Sequence, residues 1–156
     1  MKQFQNKAKI IKVSTIIRHV LFAGLVVWAI GIPVVLFQAI GLWKRISAPA
    51  TLYLQGGVIV LLVFSFIVNL RLFRFFDRLK NGHLFDARTV GHLDAAGKWW
   101  IALWFLEFLF YTIGHGILQI SNAWGFSNLF AGLTLVFVAW LLKEAQELQE
   151  EQELTV

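Results

Sequence analysis

Four long runs of apolar residues divide the chain, and short polar segments separate them. The runs cover about residues 20–43, 52–70, 99–120 and 126–142. Each run is continuously apolar rather than alternating, which predicts helices instead of barrel strands. Each is near the roughly 20 residues that cross the hydrocarbon core of a bilayer as a helix, the fourth at the short end. The pattern predicts an all-α membrane protein, a bundle of four transmembrane helices forming one domain over residues 1–156.

Composition strengthens this prediction. The chain is 58% hydrophobic and only 15% charged, whereas soluble domains carry about 25% charged residues. A soluble fold of this size has too little interior for so many apolar side chains, so we expect a lipid bilayer to cover them. There is no Cys, which excludes disulfides and thiolate metal sites. The first apolar run is far longer than the 7–15 residues of a signal peptide, so we expect it to be retained.

The distribution of basic residues predicts the orientation. Twelve of the Lys and Arg residues lie in the two terminal segments and the central connection, and two lie in the first connection. The positive-inside rule therefore places both termini and the central segment in the cytoplasm. The net charge of +5 then reflects membrane topology, and we expect no direct binding of nucleic acid.

The central segment, residues 71–98, has the pattern of a helical hairpin at the membrane surface. Before the turn, apolar residues such as Phe75 and Leu79 fall on one helix face, and basic residues such as Arg74 fall on another. Asn81-Gly82 predicts a left-handed helix end, and Asp86 predicts the cap of the next helix. The His and Asp residues of this segment lack the spacing of a metal site, so we expect no metal and no cofactor.

The stretch "LKNGHLFDARTVGHLDAAGK" resembles the hallmark of DUF2975, a family of small bacterial membrane proteins of unknown function. The family pattern is Leu-x-x-Gly-x-x-Phe, then Ser or Asp, then a helix that contains Leu and Gly. It falls here on Leu79, Gly82, Phe85, Asp86, Leu93 and Gly97. The second family mark is a fourth helix that runs into a short acidic tail, here "LKEAQELQEEQELTV". The resemblance implies a four-helix, multi-pass fold in a bacterial inner (plasma) membrane.

The resemblance also implies a partner. Family members are often encoded beside a small helix-turn-helix regulator, which implies a membrane protein that sequesters or signals to a transcription factor. The acidic tail, residues 143–156, suits this role. Its acids are Glu144, Glu147, Glu150, Glu151 and Glu153. The charge pattern alone leaves three interpretations open: the tail docks a basic DNA-binding protein, folds against the chain's own Arg74 or Arg78, or is simply solvated.

Glu107 is the outstanding polar residue of the membrane interior, because an intramembrane carboxylate is costly. Helical spacing places Glu107, Tyr111 and His115 on one face, and Asn69 of the second run is a candidate partner. One interpretation is a cavity that handles a small solute or protons. The other is that Glu107 joins helices through hydrogen bonds. The latter is favoured, since proton conduction needs a chain of such groups.

No nucleophile, phosphate loop or pair of catalytic carboxylates is recognisable. The sequence therefore favours a non-enzymatic regulatory or sensory membrane protein. Small residues that allow close helix contacts, Gly114, Gly116 and Gly132, add a third interpretation, a structural module that forms a homo-oligomer.

Overall fold

A computed structural model describes residues 2–43, 49–83, 86–116 and 125–154. These residues form four helices, α1 (Lys2–Trp43), α2 (Pro49–Lys80), α3 (Ala87–Gly116) and α4 (Ser127–Leu154). The regular structure of the described residues is therefore all-helical, as the sequence predicts. The end of the predicted third run, residues 117–120, and the connection after it lie outside the described residues.

Each helix runs antiparallel to the next. The ring of Phe22 lies 6.1 Å from that of Phe73, and Arg18 pairs with Asp77, so α1 and α2 have opposite directions. Rings also pair Tyr53 with Phe110 at 5.4 Å and Phe64 with Trp99 at 5.2 Å, so α2 and α3 have opposite directions as well. As a result the start of α1, the turn between α2 and α3, and the end of α4 share one end of the molecule, which we call the charged end.

The helices form an open row, which corrects the expectation of a bundle. Close backbone contacts join α1 to α2, α2 to α3, and α3 to α4, and within the described residues no other pair of helices makes them. Lipid covers an apolar helix face as well as another helix does, so no hydrophobic force closes α1 against α4. Small residues decide instead where two helices meet closely.

The closest helix contact is between α3 and α4. A Cβ added to Gly97 would lie 2.8 Å from the backbone nitrogen of Val136, and one on Gly132 would lie 2.9 Å from that of Ile101. Neither position has room for a side chain. Near the charged end, buried apolar residues of α2, α3 and α4 meet in one cluster. Its members are Phe75, Leu79, Val90, Leu93 and Ala139.

Three of the described helices contain a segment long and apolar enough to cross a membrane. The segments are Lys9–Gln38 in α1, Gln55–Lys80 in α2 and Ser127–Leu148 in α4. The described part of α3 is not among them. Its Trp residues are weakly hydrophobic, Glu107 and His115 are polar, and the described helix stops at Gly116.

Candidate functional site

The turn between α2 and α3 is built from local signals in the sequence. Gly82 has φ 85°, the left-handed conformation that ends α2. The amide of Gly82 donates to the carbonyl of Leu79 at 3.0 Å, and the amide of His83 donates to that of Arg78 at 3.1 Å. These two bonds form a Schellman motif. The predicted helix end at Asn81-Gly82 is therefore present in the structure.

Asp86 caps α3 and also ties it to α2. Its Oδ1 accepts the amide of Arg88 at 2.9 Å, and its Oδ2 accepts a hydrogen bond from the Arg78 guanidinium. The Nε of Arg78 also donates to the hydroxyl of Thr89 at 3.1 Å, and Thr89 is fully buried. The amide of Arg88 and the charge of Arg78 hold the pKa of the Asp86 carboxyl below its usual value. Arg78 of α2 thus links the two helices through hydrogen bonds to Asp86 and Thr89 at the start of α3.

A second ion pair links α1 to α2. The guanidinium of Arg18 lies 3.0 Å from the carboxylate of Asp77 and 5.9 Å from the ring centre of Phe73. In the sequence, Arg18 is one of the basic residues of the N-terminal segment that predict the orientation. The pairing could not be predicted from hydropathy, because α1 extends back to Lys2, before the first apolar run, and so carries Arg18 alongside α2.

The residues that resemble the family motif take structural positions. Leu79 and Leu93 belong to the buried cluster at the charged end, Gly82 forms the turn, and Gly97 lets α4 approach α3. Phe85 lies outside the described residues. These positions explain the motif as a set of packing and turn requirements around the cap at Asp86.

Next to this turn, α2 and α3 bring four basic side chains together: Arg71, Arg74, Arg78 and His92. His92 is half-buried. Burial lowers the pKa of His92, and the charges of Arg71, Arg74 and Arg78 lower it further. The imidazole therefore stays neutral more readily than a free one, in a region of positive potential.

The acidic tail is a continuation of α4, which runs unbroken to Leu154. The exposed acids are Glu144, Glu147, Glu150 and Glu151, and the side chain of Glu153 lies outside the described residues, as does the chain end after Leu154. Lys143 lies 3.5 Å from Glu147 within the helix. The tail and α3 line a groove of about 640 Å³ that also contains Asp94, Lys98 and Trp140.

The predicted stripe along α3 is present only in part. The rings of Tyr111 and His115 stack at 5.7 Å, while Glu107 lies one turn away and bonds to α4. The amide nitrogen of Asn128 is 2.8 Å from each carboxylate oxygen of Glu107. The indole of Trp100 donates to the side-chain oxygen Oδ1 of Asn128 at 3.1 Å. The result is a Trp–Asn–Glu chain of hydrogen bonds between α3 and α4.

Asn69 is not part of this stripe, contrary to expectation. It lies where α1 meets α2, with its amide nitrogen 2.8 Å from the point where a Cβ on Gly24 would stand. The partner of Glu107 that the sequence analysis missed is Asn128. The sequence does contain an indication of this pairing. Asn128 lies in the first turn of the fourth apolar run, and a short connection brings that turn beside the third run.

Of the three glycines predicted at helix contacts, two are packed or buried and one is not. Gly132 packs inside the chain, against Gly97 and Ile101 of α3. Gly114 is buried, whereas a Cβ on Gly116 would meet nothing within 4 Å. Across the described residues, no three His, Asp or Glu side chains come close enough to hold a metal ion.

Apolar, antiparallel helices long enough to cross a bilayer, joined by a charged turn, define a multi-pass α-helical membrane protein. The family described as "Protein of unknown function (DUF2975)" matches residues 42–156. The chain therefore belongs to the DUF2975 family, as its hairpin motif and acidic tail predict. No curated protein and no solved structure matches the chain.

Proposed function

We propose that this DUF2975 protein is a non-enzymatic regulatory or sensory protein of a bacterial inner membrane. Both termini and the charged end face the cytoplasm, in accord with the excess of Lys and Arg there. The acidic end of α4 binds a cytoplasmic partner, a DNA-binding regulator of helix-turn-helix type. The observation that carries the proposal is the unbroken continuation of α4 beyond its apolar segment.

A helix offers an ordered array of charges. On α4, exposed carboxylates recur at Glu144, Glu147 and Glu151, spaced by three or four residues and thus on neighbouring turns. A DNA-binding protein carries a basic surface that contacts phosphates. Opposite charges attract the two surfaces and speed their encounter. Binding at the tail would then cover the surface that the regulator needs for DNA.

The contacts of Arg78 favour an external partner for the tail over this residue of the chain's own hairpin. Arg78, one of the two residues considered as a dock for the tail, is held by Asp86 and Thr89. Arg18 is held by Asp77. Within the tail, Glu147 pairs with Lys143 and Glu150 accepts a hydrogen bond from Gln146, both four residues away. These local contacts support a self-contained helix.

The experiment is a pull-down of the detergent-solubilised protein from its native cells, with and without residues 144–156. We expect a DNA-binding protein to be captured by the full chain and lost on deletion. A second variant replaces Glu144, Glu147, Glu150 and Glu151 by Gln and keeps the helix at full length. It should lose capture as well, because the attraction is electrostatic. Undiminished capture by both variants would remove the tail from the mechanism.

A matched control replaces Asp94 by Asn, which removes a carboxylate beside the tail but not on it. We expect this variant to capture the partner normally. Loss of capture in the Asp94 variant alone would place the binding surface on α3 and contradict the proposal.

A further inference from the structure

Arg71 and Arg74 of α2 form a charged surface that the proposed function does not use. They follow directly the apolar stretch that ends at Leu70. Arg74 is exposed and Arg71 is half-buried. Both are near enough to His92 of α3 for their charges to lower its pKa. The ring contacts of Tyr53 with Phe110 and of Phe64 with Trp99 fix the antiparallel register of α2 and α3. In this register Arg71 lies level with His92, and Arg74 follows about one turn further along α2. The two guanidinium groups and the imidazole therefore lie at one level of two adjacent helices.

The charges of Arg71 and Arg74 are not neutralised by the chain. Within residues 2–43, 49–83, 86–116 and 125–154, neither side chain forms an ion pair. Three other basic residues of α1, α2 and α3 have acidic partners: Arg18 with Asp77, Arg78 with Asp86, and Lys98 with Asp94 at 2.7 Å. The surface beside His92 thus retains the positive potential of both guanidinium groups.

The depth of this surface in the bilayer indicates which anion it meets. Arg71 lies nine residues before the end of α2 at Lys80, which is about 13 Å nearer the apolar segment. On the adjacent helix, Trp99 packs on Phe64, and Trp residues concentrate at the level of the headgroups. Arg71 lies seven residues beyond Phe64, about 10 Å toward the charged end. The long side chains of Arg71 and Arg74 therefore start on the outer side of the Trp99 level and reach back to the lipid phosphates.

We propose that Arg71 and Arg74, together with His92, bind the phosphate group of an anionic phospholipid. Each guanidinium offers N–H groups in a fork that matches two phosphate oxygens, and the imidazole supplies a further N–H donor. The acyl chains lie along the apolar surface of α2 and α3. Basic pockets between transmembrane helices are recognised lipid sites, and this one is independent of the acidic tail.

The test titrates the full-length protein in detergent with phosphatidylglycerol and counts bound lipid by native mass spectrometry. We expect one phosphatidylglycerol to be retained in preference to phosphatidylcholine. The double variant Arg71→Gln/Arg74→Gln should weaken its binding about 30-fold, since each basic residue near an anionic surface contributes about 1 kcal/mol. Arg71→Lys/Arg74→Lys keeps both charges but not the fork, so its affinity should lie between those of the unaltered protein and the Arg-to-Gln variant. It also shows that the chain still folds.

The matched control is Lys98→Gln/Lys143→Gln, which removes the same charge from residues that already have acidic partners. It should bind phosphatidylglycerol as the unaltered protein does. Equal binding by the Arg-to-Gln variant and this control would overturn the proposal. So would tight binding of inorganic phosphate alone that the Arg-to-Gln variant loses, since the site would then serve a free phosphate.

A second readout reports on the position of the lipid. In nanodiscs with phosphatidylglycerol, the pKa of His92 should rise above its value in pure phosphatidylcholine, because a nearby phosphate stabilises the imidazolium. Histidine NMR measures it, with exposed His83 at the same end of the molecule as internal reference. A rise no larger than that of His83 would overturn the assignment of His92 to the site.

Discussion

The side-chain amide of Asn128 donates to both carboxylate oxygens of Glu107, each 2.8 Å away. This contact gives the most costly residue of the third apolar run a partner on the adjacent helix. It supports the interpretation that Glu107 joins helices. The alternative, solute or proton handling by Glu107, Tyr111 and His115, would need the carboxylate to release this partner.

Asn128→Ala should lower the free energy of unfolding by about 1–2 kcal/mol, because both Glu107 and Trp100 lose a hydrogen bond. Glu107→Gln should cost less, about 0.6 kcal/mol or below, since an amide oxygen still accepts from Asn128. Equilibrium unfolding in mixed micelles measures both. Thr134→Ala is the control, because its hydroxyl donates only within its own helix, to the carbonyl of Phe130.

The same Glu107→Gln variant separates the two interpretations of the stripe. If the residue joins helices, expression and capture of a partner should be nearly unchanged. A large loss of a transport or sensing signal, with the unfolding curve unaltered, would establish the functional role instead.

Gly97→Ala and Gly132→Ala should each lower the free energy of unfolding by about 1–3 kcal/mol, since the added methyl group forces α3 and α4 apart. Backbone atoms of the opposite helix lie 2.8–2.9 Å from the new carbon. Gly91→Ala on α3 is the matched control, as its Cβ would meet nothing within 4 Å. It should be neutral or stabilising by up to about 1 kcal/mol, from helix propensity. Equal behaviour of all three variants would contradict the close contact.

Gly82→Ala should cost about 1–2 kcal/mol of unfolding free energy, because an L residue is strained at the φ of 85° found there. Gly82→Asn should cost less, since Asn tolerates the left-handed region better. Unfolding of both variants under the same conditions gives the comparison. An Ala variant as stable as the unaltered protein would argue against the Schellman motif at the end of α2.

The contribution of Asp86 should depend on pH. Its pKa is lower in the folded chain than its ordinary value of 3.8, so the folded state favours the ionised form. The stabilisation is therefore complete above that ordinary value and is lost as the pH falls through the folded pKa. The stability difference between the unaltered protein and Asp86→Ala, measured by unfolding from pH 7 downward, should be constant at first and shrink below pH 3.8. A difference that grows on acidification would reverse the sign of this argument.

The features that the sequence by itself determined are local ones. Long apolar runs require helices in a bilayer because backbone groups must be satisfied within the segment. Gly82 ends α2 because glycine, without a Cβ, adopts the left-handed conformation that the helix end requires. Asp86 caps α3 because its carboxylate accepts a hydrogen bond from a backbone amide of the first turn. These preferences act within a few residues, so they can be predicted without knowledge of the fold.

Tertiary structure alone decided which distant residues meet. Helical spacing placed Glu107, Tyr111 and His115 on one face. It could not show that Glu107 bonds to Asn128 rather than to Asn69, because that depends on the register of α3 against α4. Likewise, the pairing of Arg18 with Asp77 followed from the length of α1. Hydropathy cannot supply this information, because lipid and protein are equally apolar surroundings for a helix. Steric contacts such as Gly97 with Gly132 fix the register of α3 against α4, and few polar bonds hold it.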